Sequence, residues 1–211
     1  MENQLRCISH EIRNQISICE LYIRIIEKKL IQKGIKDMSL DNAVNCIEKS
    51  LKLMSNSLLD LRSADNFNPK RADIKELLKN GINMSFVYSE GKDIEISLHC
   101  TKTCDIYIDE NKFLACIVNI IKNATEAIDE KGKIDIFTDV ADDKVSVKIL
   151  NNGKPIKKGS DIFKEGFTDK KTGNGLGLAI CKEYLEKQDA ILKLNKSDES
   201  GTEFEIILNK Y

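Results

Sequence analysis

His10 and His99 are the only two histidines in a chain of 211 residues. His10 falls between the apolar residues Ile8 and Ile12 of a helical pattern. Two residues of helix turn the chain by about 200°, so the ring points away from the apolar seam toward solvent. Glu11 follows at once, and Asn14 lies one turn further on the same face. A carboxylate beside an imidazole can hold its tautomer and take its proton, which leaves the other ring nitrogen a nucleophile. A His-Glu pair also arises by chance on the flank of a bundle. His99 sits in a strand pattern and reads as a packed or edge residue.

A second group is Asn119 and Asn123, four residues apart within Asn119-Ile-Ile-Lys-Asn123-Ala-Thr-Glu126. On a helix they stack on one face, while Leu114, Ile117 and Ile121 make the other face apolar. Two amides so placed can offer carbonyl oxygens to a hard cation and its waters, or stand as plain surface amides. The third group is a long loop, Asn151 to Asn174, ending in Gly173-Asn-Gly175-Leu176-Gly177 where a helix should start. Alternating glycines there turn the backbone tightly and aim free N–H groups, with the positive helix end, at an anion. The loop also carries Lys154, Lys157, Lys158, Lys164, Lys170 and Lys171 against Asp161, Glu165 and Asp169. Phosphate is the anion that a basic, glycine-rich loop fits.

The elements that must position these groups are legible from periodicity. Leu5, Ile8, Ile12, Ile16, Cys19, Ile23, Ile26 and Leu30 run in steps of three and four, close to a heptad seam. After a break at Lys33-Gly34, Leu40, Val44, Ile47, Leu51, Met54, Leu58 and Leu61 repeat the pattern. Two such helices make an antiparallel hairpin. Ile18, Leu21, Ile25, Leu53 and Leu59 widen the stripe beyond what one partner helix hides, so a homodimer forming a four-helix bundle is expected. Pro69 ends the rhythm. A helix over 73–86, strands near 93–99 and 104–108, and a helix capped by Asp109 and running to about 130 are predicted next. A Lys131-Gly132 turn, strands 133–138 and 144–150, the long loop, a helix from 175 to 187 and strands 190–195 and 203–209 complete the pattern. The fold class is thus α+β: residues 1–66 a helical hairpin, 67–72 a linker, and 73–211 an α/β sandwich with helices on one face of a mixed sheet.

Composition bounds the function. With 33 Lys+Arg against 34 Asp+Glu, a net charge of -1 argues against wrapping nucleic acid. The longest unbroken apolar run, Phe113 to Val118, is six residues, too short to insert in a membrane, and no secretory h-region opens the chain. Seven cysteines, an odd number without a Cys-x-x-Cys, read as small apolar residues of a reducing compartment. A soluble, cytoplasmic protein is expected.

Taken in order, the three groups resemble the catalytic core of the sensor histidine kinases of two-component signalling. Ser9-His10-Glu11-Ile12-Arg13-Asn14 is similar to that family's H box, and Asn119 to Asn123-Ala124 to its N box. Asn151 to Ile156 occupies the G1 position, Phe163 to Phe167-Thr168 the F box, and Gly173 to Leu178 the G2 box. The resemblance implies an ATP-binding domain of the Bergerat type shared with gyrase and Hsp90. It implies that ATP and Mg2+ bind at Asn119, Asn123, Asn151, Gly153, Thr168, Lys170, Gly173, Gly175, Leu176 and Gly177, with Asn123 the metal ligand. His10 would then take the γ-phosphoryl group with help from Glu11, and pass it to an Asp on a response-regulator receiver domain. Asn14 stands where the family orients a water that dephosphorylates that partner. With only nine residues before His10, no input module is expected, so the signal would come from a separate sensor protein or from the rest of a longer one.

Two residues depart from the family pattern. Gln15 stands where the H box often has Pro. At G1, Asn151 replaces the Asp that accepts from the adenine amino group, and Pro155 replaces a glycine. A neutral acceptor is weaker than a charged one, so Asn151→Asp is expected from sequence to tighten ATP binding. The same departures make a phosphotransferase or pseudokinase, relaying phosphate without ATP, the alternative reading.

Overall fold

The structure is a computed structural model. It describes residues 19, 22, 23, 25, 26, 28–30, 32, 34, 40, 44, 47, 51, 67–157, 159–168 and 175–211. The chain divides into two compact units, Met1–Phe67 and Asn68–Tyr211. His10, Glu11 and Asn14 lie outside the described residues, as do Lys170 and Gly173.

In the first unit, every described residue from 19 to 32 is helical, Gly34 is in a turn, and residues 40, 44, 47 and 51 are helical again. Ile23, Val44 and Leu51 pack into one buried cluster. Other residues of the same seams stay open: Ile26 is 45% and Ile47 50% exposed, and Tyr22, Ile25 and Leu40 are exposed beside them. Among the described residues of this unit, part of the apolar pattern is buried and part is exposed.

The second unit opens with strand β1 (Lys70–Asp73), helix α1 (Ile74–Ser85) and a short 3-10 turn (Phe86–Ser89). Strands β2 (Asp93–Cys100) and β3 (Asp105–Ile108) and helix α2 (Glu110–Ala127) follow, then β4 (Lys131–Ala141), β5 (Lys144–Asn151), helix α3 (Gly177–Glu186), β6 (Ile191–Asp198) and β7 (Gly201–Asn209). Strands β1 and β3 form a two-stranded sheet. The other five are ordered β2-β4-β5-β7-β6, with β2 and β4 parallel and the remaining pairs antiparallel. One face of the larger sheet is buried by alternation, through Ile134 and Ile136, Val145, Val147 and Ile149, and Phe204, Ile206 and Leu208. The helices meet it with Ile74, Leu78, Phe113, Ile117, Ile120, Ile121 and Leu185. Each such side chain contributes about 1.5–3 kcal/mol on burial.

Three differences from the sequence reading have a visible physical cause. Residues 70–73, read as the end of the linker (70–72) and the first residue of a helix (73), form β1, because a four-residue strand rich in charge gives no periodic signal; it pairs with β3, Lys70 opposite Ile108. Helix α2 stops at Ala127 instead of 130. There Lys92 Nζ donates to the carbonyls of Thr125 (2.8 Å) and Ile128 (2.5 Å), a cationic cap from 33 residues away. Lys131-Gly132 is the start of β4 and not a turn, since parallel pairing with β2 begins at Asp93 opposite Lys131.

The outer face of the sheet is polar and cross-linked. His99 on edge strand β2 pairs with Asp135 (2.8 Å) and stacks on Phe137, the edge role its pattern suggested. Glu205 on β7 is nearly buried. Burial alone would raise its pKa. Hydrogen bonds from Ser146 (2.6 Å) and Asn195 (3.0 Å), with the Lys193 ammonium at 3.1 Å, outweigh that and hold it down at about 2, from 4.5. A depressed carboxylate stabilises the fold fully above its unfolded pKa and loses that contribution as pH falls through the folded one. Between pH 5 and pH 2 the wild type is therefore expected to lose roughly 2–3 kcal/mol more than Glu205→Gln does. Denaturant unfolding of both across that range measures it, and parallel acid limbs would refute it.

Candidate active site

Helix α2 begins at Asp109, whose Oδ1 accepts from Lys112 N (3.1 Å), as its capping sequence predicts. Its apolar face is sealed by Phe113, Cys116, Ile117 and Ile120, so the opposite face must look outward. That face carries Asn119 and Asn123, both half-buried on the wall of an open cavity of about 670 Å3. Lys122, Glu126 and Ala127 extend the wall along the helix. The end of β5 contributes Asn151, followed by Lys154, Pro155 and Ile156. The loop adds Ile162, Phe167 and Thr168, and the start of α3 adds Gly175, Gly177 and Leu178. Thr202 and Phe204 of β7 form the floor.

Sequence reasoning placed Asn119, Asn123, Asn151, Thr168, Gly175 and Gly177 in a site, and they share this cavity. Gly153 lies beside it, packed against the Ala127 carbonyl, and Leu176 is largely exposed next to Gly177. Lys122, Thr202 and Phe204 were missed. The signal for the last two was present: Gly201-Thr202 opens a strand whose alternate residues Phe204, Ile206 and Leu208 are apolar, so Thr202 faces inward with them.

Local contacts fix the amides. Asn119 Nδ2 donates to Cys181 Sγ at 3.3 Å, which leaves its Oδ1 as an acceptor. The same amide fills the space above Gly177, where an added Cβ would come within 2.5 Å of it. Gly175 has φ +65°, and its carbonyl accepts from Gly166 N (3.1 Å), closing the loop back on itself. Among the described residues no cluster of three or more His, Cys, Asp or Glu could hold a metal. A hard cation here would depend on amide oxygens and on oxygens of its ligand. That donor set suits a magnesium that keeps waters and phosphate ligands.

Asn151 is buried, and its amide is committed at both atoms. In the orientation that satisfies its neighbours, Nδ2 donates to the Thr202 carbonyl (3.3 Å) and Oδ1 accepts from Gly153 N (2.9 Å). The second lone pair of Oδ1 remains to accept from a base amino group. Nearby backbone donors are also spent on the protein, Lys154 N on Ala127 O (2.9 Å) and Ile156 N on Ser197 Oγ (2.8 Å).

This geometry adds a stability cost to Asn151→Asp. A carboxylate oxygen in place of Nδ2 would face the Thr202 carbonyl with no proton between them. Leaving a buried acceptor unpaired costs about 1–3 kcal/mol of folding free energy. The variant is expected to unfold about 1–2 kcal/mol more readily than wild type at pH 7. Denaturant unfolding checks it, and unchanged stability would contradict the assigned amide.

No helix of the described residues is long and apolar enough to cross a membrane. Residues 108–211 match the model of the histidine kinase-, DNA gyrase B- and HSP90-like ATPases. Sporulation kinase C of Bacillus subtilis is 30% identical over 206 residues, 95% of this chain and 47% of that protein. Full-length ShkA, solved in complex with AMPPNP, superposes with a TM-score of 0.70 at 20% identity, covering 99% of this chain and 46% of that one. ThkA, solved in complex with the response regulator TrrA, gives a TM-score of 0.62 at 24% identity, covering 99% of this chain and 61% of that one. The chain spans about half the length of the curated relatives it matches. With the asparagines of α2, the end of β5 and the glycines before α3 gathered around one cavity, residues 108–211 form an ATPase domain of the histidine kinase-, DNA gyrase B- and HSP90-like type, in a chain similar over most of its length to sensor histidine kinases.

Proposed function

We propose that the chain is an ATP-dependent protein-histidine kinase core, acting as a homodimer in the cytoplasm. ATP enters the cavity between α2, the loop and β7, with its base toward Asn151 and Thr202 and its phosphates toward Gly175 and Gly177. The lysines of the loop, Lys170 among them, and the backbone around Gly173 screen the phosphates. Magnesium held at Asn123, with Asn119 beside it, would supply charge neutralisation to the phosphate oxygens. His10 is the nucleophile whose ring nitrogen attacks the γ-phosphorus in line while the bond to the β–γ bridging oxygen breaks and ADP leaves, and Glu11 takes the ring proton. Phosphoryl transfer depends mainly on positioning and charge stabilisation, and these residues provide both. The phosphoryl group then passes to an Asp of a response-regulator receiver domain, and Asn14 orients the water that removes it.

The observation that carries this reading is the convergence of Asn119, Asn123, Asn151, Gly175 and Gly177 on a cavity large enough for a nucleotide. It favours the kinase over the relay alternative, which has no use for such a cavity. Titration with a non-hydrolysable ATP analogue, with and without magnesium, tests it. Magnesium-dependent binding is expected, and no binding by the folded protein would return the assignment to a phosphotransferase.

The partly exposed apolar pattern of the first unit supports the dimer. Exposed Tyr22, Ile25, Ile26, Leu40 and Ile47 need a second apolar surface, and a copy of the same hairpin offers one. Sedimentation at micromolar concentration is expected to give a dimer whose contacts lie in residues 5–30 and 40–61. A monomer, or a dimer that survives deletion of residues 1–66, would contradict it.

A further inference from the structure

Asp109 does more than cap a helix. While Oδ1 takes the Lys112 N–H, its second oxygen, Oδ2, accepts from Asn68 N at 2.8 Å. Asn68 directly follows Phe67, the last residue of the first compact unit. The backbone N–H of Asp109 itself donates to Gln188 Oε1 at 2.6 Å, and Gln188 Nε2 donates to the Tyr184 carbonyl in the last turn of α3 (2.9 Å). Asp109 is only 6% exposed, and Lys112, with its ammonium 4.5 Å from the centre of the Tyr184 ring, is also buried. One carboxylate residue thus joins three parts of the second unit: its first residue, the start of α2 and the end of α3.

Those two helices carry the candidate site at a distance from this node. Helix α2 presents Asn119 and Asn123 to the cavity, and α3 starts there at Gly177. A ten-residue helix spans about 15 Å. A cap alone uses one oxygen. The second one holds the N–H of Asn68, so Asn68 and the start of α2 are joined by a hydrogen bond as well as by the chain.

We infer that Asp109 is a positioning residue that ties the connection between the two units to the helices bearing the nucleotide site. The inference rests on the kinase reading above. Nucleotide affinity is set by the cavity wall, whereas transfer to His10 also needs the ATP-bearing unit held correctly on its connection. Loosening the Asn68 bond should therefore slow transfer while leaving affinity in place.

Asp109→Ser tests this in the full chain, because Ser keeps a capping oxygen for Lys112 N but has no second one for Asn68. Asn68→Pro removes the donor from the other side and leaves Asp109 untouched, so it decides the matter should Asp109→Ser fold poorly. Two quantities are read for each: affinity for a fluorescent ATP analogue with magnesium, and the rate of His10 labelling at saturating γ-labelled ATP. Both variants are expected to bind within about twofold of wild type and to label at least roughly tenfold more slowly, the kind of loss that misplacement of a reacting group produces. Unchanged labelling would overturn the inference, and so would affinity and rate falling together. Failure of the wild type to bind or label would instead strike the kinase reading itself.

Discussion

Asn123→Ala is expected to lower magnesium-dependent ATP affinity roughly 100-fold, the usual scale for removing a ligand or its close support at a metal site. The residue stands one turn beyond Asn119 on the α2 face that lines the cavity. The opposite face, from Phe113 through Ile121, is already sealed against the sheet. Truncating a half-buried amide on the open face costs little in packing, so the domain should stay folded, with an unfolding midpoint close to that of wild type. Calorimetry with an ATP analogue separates the two effects. Binding that falls equally with and without magnesium would mean that Asn123 contacts the nucleotide directly and not through the ion. Unchanged binding would remove it from the site.

The second large effect is expected at Gly175. A Cβ there would lie 2.4 Å from the Gly166 backbone and 2.6 Å from the Phe167 carbonyl oxygen, on a residue with φ +65°. The left-handed backbone alone costs an alanine about 1–2 kcal/mol. The clash cannot be relieved by a side chain swinging away, because the atoms it meets are backbone. The Gly166 N–H bond to the Gly175 carbonyl must open, and the loop end with Phe167 and Thr168 must leave the cavity wall. Gly175→Ala is expected to reduce nucleotide affinity at least about tenfold, equivalent to about 1.4 kcal/mol. Gly159→Ala is the matched control: its φ is +80°, but an added Cβ meets nothing within 4 Å. It should carry the backbone cost and spare binding. Equal losses in both would assign the effect to loop flexibility.

Much of the site was legible because it is written in strong local signals. Asp109 reads as a cap from its own type and its place before an apolar helix, and it caps. Asn119 and Asn123 share a face by spacing alone. The glycines before α3 announce a tight approach, and Gly177 in fact lies under the Asn119 amide. What sequence could not supply is long-range pairing. Strand β1 is too short to show a period and exists through β3, 34 residues away at Arg71 and Asp105. The end of α2 depends on Lys92, and the setting of Asn151 depends on the Thr202 carbonyl across the β5–β7 pair. The stability cost that the Thr202 carbonyl adds to Asn151→Asp was therefore not visible in the residue's own type.

In the proposed function, ATP bound at the α2–α3 cavity phosphorylates His10. Incubation of the full chain with γ-labelled ATP and magnesium, followed by acid and base treatment of the labelled protein, tests it most directly. Wild type is expected to take up a label that is lost in acid and kept in base, as a phosphohistidine is, while His10→Gln takes up none and still sediments as a dimer. Label persisting on His10→Gln, or found on His99, would contradict the account.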